Sequence, residues 1–323
     1  MSENNTLESS NFYGRNRRVT LEETTFSRLL PHFLNFCRYE QQFSQETVDK
    51  YHECLKWVQK DLGDIPVTKI NPFNLIELKQ KCLARGASEY RIRTIVYSLR
   101  AFLKFCKDIL DLDVIEANKV KAPRAAKREV IYLNNEEIKR FIDSIKIENE
   151  WKGRKKQKNL FIDGLRFRTL VEVLLGTGAR ISEALSLDRD KIDFAKAEAK
   201  IIGKGNKERI LFFNQRCLYW IRYYLEQRRD KEKALFVTRR LTRLHREDVS
   251  KLFKTYTKKS GIPKRVTPHI LRHTMATNLL FNGCPINHVK EILGHERLET
   301  TCKYYLGVDK TVAKEAHRNF LNF

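Results

Sequence analysis

Apolar residues recur at spacings of three and four along most of this chain, a periodicity typical of amphipathic helices. The first two runs comprise Phe26, Leu29, Leu30, Phe33, Leu34 and Cys37, and then Val48, Tyr51, Leu55 and Val58. Two further helices are predicted over Leu75–Leu83 and Ile92–Phe105. Only Lys200–Ile202 and Arg209–Phe213 have the character of short strands, joined by a glycine-containing turn. The pattern predicts a mainly α fold with one small β-hairpin sheet.

The helical runs divide into two predicted domains. A polar N-terminus over 1–19, which we predict to be disordered, precedes a four-helix domain over 20–115. Residues 116–130 are basic, contain Pro123 and lack apolar periodicity, which indicates an extended linker. A second, mostly helical domain is predicted over 131–323.

Local signals divide the second domain further. Asn134 or Asn135 is expected to cap a helix that begins after Leu133. We then predict a charged loop over Lys146–Lys158, helices over Leu165–Leu175 and Arg180–Leu187, and a helical pattern from Leu218 almost to the end.

Charge points to the partner class. Lys and Arg total 63 against 40 Asp and Glu, a formal net charge of +23. Residues 1–130 hold 22 basic and 17 acidic residues, whereas residues 131–323 hold 41 and 23. Such a field attracts polyanions and makes nucleic acid the leading partner, although composition does not separate DNA from RNA or anionic lipid.

Other features exclude several classes of protein. No run of about 18 apolar residues is present, so no transmembrane helix is expected. The polar start of the chain argues against a secretory signal. The seven cysteines are odd in number and form no CxxC pair, which is typical of reduced thiols in a cytoplasmic protein.

Basic residues form a candidate DNA-binding surface in the first domain and the linker. Opposite the apolar side of the fourth helix, and then along the linker, are Arg91, Arg93, Arg100, Lys104, Lys121, Arg124 and Lys127. These side chains are predicted to contact the DNA backbone. The alternative for each is an ordinary solvated helix surface.

Two glycine-containing segments offer phosphate ligands. Residues Gly176-Thr177-Gly178-Ala179-Arg180-Ile181-Ser182-Glu183 place an arginine at the start of a helix after a tight turn. The Arg180 guanidinium can fork onto a phosphate there. The hairpin tip Gly203-Lys204-Gly205-Asn206-Lys207 presents a lysine between two glycines. Lys204 is the candidate that reaches into a DNA groove. Lys207 is its rival, and otherwise it is predicted to bind DNA through a phosphate.

A third segment runs from Thr267 to Tyr305. Thr267 and Pro268 are expected at the N-cap and first position of a helix, which puts His269 and Arg272 on one face. Gly283 marks the end of that helix. Pro285 opens another helix that ends at Gly294, with His295 next and Tyr304 nine residues later.

This set of side chains suits phosphoryl transfer at a DNA phosphodiester. Two guanidiniums would neutralise the non-bridging oxygens as charge builds in the transition state. A tyrosine hydroxyl, with its ordinary pKa of about 10, needs such a cationic environment to act as a nucleophile. A phosphotyrosine bond conserves the energy of the cleaved bond, so no ATP is required, and the chain has no GxxxxGK[ST] loop.

The set resembles the tyrosine recombinase (phage integrase) family, particularly its Xer-like members. The resemblance covers about residues 20–323 and is specific from 165 onward. It is carried by Arg180, Lys204, His269-Ile270-Leu271-Arg272, Leu293-Gly294-His295 and Tyr304, which agree in order and spacing with the family pattern.

The resemblance implies a role for each residue. Tyr304 would attack the scissile phosphate, while Arg180 and Arg272 bind its non-bridging oxygens. Lys204 would protonate the departing 5′ oxygen. The remaining implied residues are His269 in general acid/base transfer, His295 as a hydrogen-bond donor to the phosphate, and Glu183 as a support three places after the first arginine.

The resemblance also implies an architecture and partners. The fold would be a two-domain C-shaped clamp, with an N-terminal four-helix, SAM-like core-binding domain and a mostly helical catalytic domain. Four copies would act on double-stranded recombination sites in the cytoplasm, associated with the nucleoid, through a Holliday junction and without a cofactor. An apolar C-terminal stripe is expected to dock on a neighbouring copy; it comprises Val312, Ala313, Ala316, Phe320, Leu321 and Phe323.

Several alternatives stay open. Tyr305 competes with Tyr304 as nucleophile, and His273 is expected to be structural. A zinc site would use His269, His273, His295 and Cys302, although the neighbouring arginine opposes it. The biological role is either integration and excision of a mobile element or resolution of DNA dimers. Other functions are a type IB-like topoisomerase and a DNA-binding relative that has lost catalysis.

Overall fold

A computed structural model describes residues 24–123, 130–147, 155–203 and 208–295, together with 7–8, 18–19 and 318. The chain divides into two compact units, Met1–Lys127 and Arg128–Phe323. Each has its own hydrophobic core. The mainly α fold with a small sheet, predicted from the apolar periodicity, is confirmed.

Four helices form the core of the first unit. They are α1 (Phe26–Asn35), which a π-helical turn over Phe36–Glu40 extends, α2 (Gln45–Leu62), α3 (Pro72–Ala84) and α4 (Glu89–Asp108). Their apolar faces meet around Phe26, Phe33 and Phe102, whose rings are in contact. Asn71 caps α3 through a reciprocal pair of hydrogen bonds with Asn74. Within the predicted disordered N-terminus, β1 (Leu7–Glu8) pairs antiparallel with β2 (Arg18–Val19).

The predicted extended linker begins as part of the first unit. Residues 117–119 form a turn, and Val120 is fully buried in the first core. The Arg100 guanidinium donates a hydrogen bond to the Val120 carbonyl at 2.5 Å. A single buried valine in a polar run has no periodicity, so the sequence pattern did not reveal it. Residues 124–129 lie outside the described residues.

The second unit is built mostly from helices around one large core. Its helices are α5 (Asn135–Asp143), α6 (Lys155–Thr177), α7 (Ile181–Ser186), α8 (Gln215–Glu226), α9 (Arg246–Ser260), α10 (Pro268–Phe281) and α11 (Ile286–Leu293). Asn134, one of the two predicted caps, is the N-cap of α5, and it forms a capping box with Glu137. None of the helices in the described part of the chain is long and apolar enough to cross a membrane.

The small sheet contains the predicted hairpin. Strands β4 (Glu198–Ile202) and β5 (Glu208–Phe212) pair antiparallel, with Ile202 opposite Glu208 at the end next to the hairpin tip. A third strand, β3 (Ile192–Asp193), pairs with β4 and was not predicted. Its two residues are too few to show an alternating pattern.

Two predicted segments differ from the structure. The charged loop over Lys146–Lys158 overlaps α6, which already begins at Lys155, because Lys and Gln favour helix even where no apolar face is present. The helical pattern predicted from Leu218 onward is interrupted between α8 and α9. That segment is held by tertiary contacts, among them bridges from Ala234 to Asp188 and from Val237 to Arg243.

Candidate active site

One pocket of the second unit brings three of the predicted catalytic residues together. Arg180, His269 and Arg272 line a cavity of about 410 Å³. Arg180 lies at the start of α7, whereas His269 and Arg272 lie one turn apart on α10. The helix begins as predicted, with the Thr267 hydroxyl accepting from the Ile270 amide at 3.2 Å and Pro268 in the first turn.

Arg180 is held at two points and is still partly open to solvent. Its Nη1 donates to Glu183 Oε1 at 2.8 Å, and its Nη2 donates to the Gly294 carbonyl at 3.2 Å. The side chain is 36% exposed. Since a guanidinium has five N–H donors, these two bonds leave others for a ligand in the pocket.

Arg272 is buried, with 2% of its surface exposed. Its Nη1 donates to the Gly178 carbonyl and its Nη2 to the Leu293 carbonyl, each at 2.5 Å. The guanidinium thereby joins the turn before α7 to the end of α11. A charged group in this position arrives at the pocket with its orientation already set.

Glu183 connects the first arginine to the sheet. Its carboxylate is 4% exposed and accepts from the Arg180 amide at 2.7 Å and from Arg209 Nη2 at 2.8 Å. Burial favours the neutral acid, but the Arg180 amide and the charges of Arg209 and Arg180 outweigh it and lower the Glu183 pKa. Glu183 is therefore an ionised support for Arg180.

Arg209 is a site residue that sequence reasoning missed. It lies on β5 with 12% of its side chain exposed. Besides Glu183, it donates from Nη1 to the Ile292 carbonyl at 2.9 Å. The available signal was the alternation along the strand, because Arg209 is two residues from the apolar Leu211 and shares its face of the sheet.

Two glycines permit these close approaches. Gly294 ends α11 with a φ of +61°, and a Cβ there would lie 2.7 Å from Arg209 Nη1. Gly178 has a φ of +59°, and a Cβ there would lie 2.5 Å from Met275 Cε. Both positions favour a residue without a side chain. Gly294 was predicted only as the end of a helix, so its second function is a tertiary one.

Three histidines surround the arginines. His295 is buried, and burial together with Arg272 and Arg180 lowers its pKa to about 4. His269 is open to solvent on one side, and partial desolvation, Arg272 and Arg180 lower its pKa as well. The His273 ring lies 4.2 Å from the His269 ring, and burial lowers the His273 pKa to about 4. These histidines are therefore neutral near pH 7.

The pocket has more positive charge than the predicted residues supply. Arg246, Lys254 and Arg265 also line it, with Ser250 between the first two. Sequence reasoning missed these residues. The signal was a polar stripe at spacings of four on the helix that precedes His269.

Several predicted site residues lie outside the described residues. They are Lys204, Lys207, Tyr304, Tyr305, Arg124 and Lys127, and all six residues of the predicted C-terminal stripe lie outside as well. Within the described ranges, no three His, Cys, Asp or Glu side chains form a candidate metal site, and the zinc alternative also depended on the undescribed Cys302.

The predicted DNA-binding side chains of α4 have unequal surroundings. Arg91 forms an ion pair with Glu53 at 2.7 Å and lies over the Trp57 ring. Arg100 is engaged with Val120. The guanidinium of Arg93 lies over the Tyr97 ring, and the Lys104 side chain is 74% exposed. The described linker residue Lys121 is exposed as well.

Comparison with known proteins finds phage integrases and tyrosine recombinases. Residues 131–311 match the phage integrase family. The chain is 28% identical over 302 residues to tyrosine recombinase XerD of Staphylococcus epidermidis, covering 90% of this chain and 98% of that protein. XerD of Staphylococcus haemolyticus is also 28% identical over 302 residues, with the same coverage of both chains.

Solved structures share the fold. The Tn1549 transposon integrase in complex with transposon right end DNA superposes with a TM-score of 0.73 at 18% identity, covering 91% of this chain and 99% of that one. XerH site-specific recombinase bound to a palindromic difH substrate gives a TM-score of 0.67 at 20% identity, covering 89% and 84%.

Proposed function

This chain belongs to the phage integrase family and is a tyrosine recombinase that acts in site-specific DNA recombination. We propose that Tyr304 is its nucleophile. The observation that carries the proposal is the shared pocket of Arg180, His269 and Arg272. Two guanidiniums and an imidazole on one cavity suit a phosphodiester whose charge increases during attack.

The proposed reaction conserves the number of phosphoester bonds. The Tyr304 hydroxyl oxygen attacks the scissile phosphorus, the bond from phosphorus to the 5′ oxygen breaks, and a 3′-phosphotyrosine forms. Rejoining is the same step in reverse, with a 5′ hydroxyl as the attacking group. Because the covalent intermediate retains the bond energy, the reaction needs no ATP.

Proton transfer completes the step. His269, whose lowered pKa keeps it neutral, accepts the Tyr304 proton. Lys204 donates a proton to the departing 5′ oxygen. His295 donates a hydrogen bond to a non-bridging oxygen, and Glu183 keeps Arg180 in position through the bonds described above.

The proposed partner is a double-stranded recombination site. The structures of XerH and of the Tn1549 integrase, which share the fold, are DNA complexes, and the basic second domain suits the same ligand. We propose that the two domains close on DNA as a clamp. Four copies would exchange strands through a Holliday junction, and the C-terminal segment of each copy would dock on a neighbouring copy. The reaction would take place in the cytoplasm, on DNA of the nucleoid.

Two biological roles fit this chemistry. One is integration and excision of a mobile element, and the other is resolution of DNA dimers. The fold shared with a transposon integrase bound to transposon end DNA is compatible with the first role. An adjacent excisionase gene with flanking attachment repeats would favour the first role, and a single chromosomal site the second.

Covalent trapping tests the nucleophile. A binding site is first selected from a pool of random duplexes by the wild-type chain and then nicked near the cleavage point. The wild-type protein is expected to leave a detergent-resistant adduct, and Tyr304→Phe is expected to leave none. Tyr305→Phe is the matched control and should retain the adduct; the opposite pair of results would reassign the nucleophile. EDTA is expected to have no effect.

A further inference from the structure

The pocket that holds the proposed catalytic residues has a second wall. Three of its residues, Arg246, Ser250 and Lys254, are spaced four apart and share one face of α9. Arg265 joins them from the segment before α10, and Phe253 and Val266 are buried beside them. The second wall is thus made from different elements than the first.

The whole pocket is cationic. Five lining residues are arginine or lysine, namely Arg180, Arg246, Lys254, Arg265 and Arg272, and no lining residue is acidic. Like charges gathered around one cavity repel each other unless an anion lies between them. The composition of the lining therefore indicates an anion with more than one charged group.

Lys254 and Arg265 differ from the arginines of the first wall. Arg180 and Arg272 are anchored by hydrogen bonds to backbone carbonyls. Among the residues that the structure describes, neither Lys254 nor Arg265 has an ion-pair or hydrogen-bond partner for its side chain, and both are exposed. Their charges are available to a ligand without breaking an internal contact.

The cavity is larger than one phosphate requires. At about 30 Å³ for each water-sized group, its 410 Å³ has room for on the order of a dozen such groups. Neighbouring phosphates of one DNA strand are separated by a single nucleotide, with a rise of about 3.4 Å along the helix axis. A strand whose scissile phosphate lies at the first wall therefore brings its next phosphate towards the second wall.

We propose that this pocket binds two phosphates of the cleaved strand, with Arg180 and Arg272 on the scissile phosphate and Lys254 and Arg265 on its neighbour. The inference rests on the proposed function and adds a second subsite to it. Holding a neighbouring phosphate fixes the register of the strand, so that the scissile phosphorus is presented to the nucleophile.

Salt-dependent binding in a Tyr304→Phe background tests the subsite without cleavage. Lys254→Ala and Arg265→Ala are each expected to weaken binding to the selected duplex about tenfold. Each should also reduce the slope of log K against log salt, and the double variant should reduce it by about 0.9, because the two residues share one phosphate. Lys251→Ala is the matched control, because this exposed α9 lysine pairs with Asp248 and does not line the pocket. It should leave the slope nearly unchanged.

Methylphosphonate substitution locates the contact. A neutral methylphosphonate placed next to the scissile phosphate removes both contacts, so it should weaken binding by the Tyr304→Phe chain more than either single variant does, up to about a hundredfold. In the chain that also carries Lys254→Ala and Arg265→Ala, the same duplex should bind within about twofold of the unmodified one, because the contact is already lost. Thermal unfolding checks that the Tyr304→Phe chain and the chain that also carries Lys254→Ala and Arg265→Ala are folded.

Two results would overturn the subsite. One is a salt slope for Lys254→Ala and Arg265→Ala equal to that of Lys251→Ala. The other is a double variant that remains as sensitive as its parent to methylphosphonate at the neighbouring phosphate. Neither result concerns the nucleophile, since the trapping experiment with Tyr304→Phe and Tyr305→Phe judges that separately.

Discussion

Arg209 and Glu183 form a buried ion pair, with Nη2 of the arginine 2.8 Å from Oε2 of the carboxylate. The same guanidinium reaches the Ile292 carbonyl, so one side chain joins the sheet, α7 and the end of α11. Breaking a buried pair leaves an unmatched charge, which costs about 3–5 kcal/mol.

Removal of Arg209 is therefore expected to affect both stability and cleavage. Arg209→Ala should lower the free energy of unfolding by about 3 kcal/mol. It should also slow adduct formation, because Glu183, which holds Arg180, loses one of its two arginine partners. Arg91→Ala is the control, since its partner Glu53 is 59% exposed and such a pair contributes at most about 1 kcal/mol. Equal losses in urea titrations of the two variants would contradict this reading.

Gly294→Ala should disturb the site through Arg209. An alanine at a φ of +61° costs about 1 kcal/mol, and its Cβ would also lie within 2.8 Å of Arg209 Nη1 and Cδ. Gly261→Ala has a comparable φ of +64° and nothing within 4 Å of the added carbon. We expect a clear loss of adduct formation only for Gly294→Ala. Similar activity in both variants would show that backbone strain alone matters.

Replacing Arg180 and replacing Arg272 should lower the free energy of unfolding by different amounts. Arg180→Ala, at 36% exposed, is expected to cost about 1 kcal/mol of unfolding free energy. Arg272→Ala leaves the buried Gly178 and Leu293 carbonyls without a donor, at about 1–3 kcal/mol each. Both should slow cleavage by at least about a hundredfold, even as lysine variants that retain the charge. Single-turnover adduct assays and urea titrations measure the two effects.

Stability should depend on pH through the buried histidines. A folded-state pKa of about 4 for His295 lies below the ordinary value of 6.5, so the unfolded chain binds the proton more readily. This contribution is complete above pH 6.5 and is lost as the pH falls towards 4. His295→Gln should flatten that part of the profile, measured by amide hydrogen exchange in α10. An unchanged slope would argue against a buried neutral His295.

Two cations of α4 should contribute unequally to DNA binding. Lys104→Ala is expected to reduce the salt slope by about 1, because its side chain is 74% exposed and its contact to Asp108 is long, at 4.0 Å. Arg91 is already engaged by Glu53 and Trp57, so Arg91→Ala should change the slope less. The comparison uses random-sequence duplex DNA. A larger effect for Arg91 would reverse the assignment.

Much of the local structure could be predicted from the order of residues. Spacings of three and four determine helices, and caps such as Asn134, Thr267 and Gly294 determine where several of them begin or end. The order of Arg180, His269, Arg272 and His295 also suggested a phosphate site. These signals are readable because each depends on neighbours within a few positions.

Only the tertiary structure determined which groups hold the site together and which protonation state each titratable group has. Arg209 meets Glu183 and Gly294 across long separations in the chain, and Val120 is buried by contacts that no periodicity announces. Lys254 and Arg265 became site residues only when α9 and the following segment formed a wall opposite Arg180. Distance, burial and pKa depend on groups that folding brings together from remote positions in the chain. The order of residues therefore predicted the phosphoryl-transfer chemistry but not the residues that position the site.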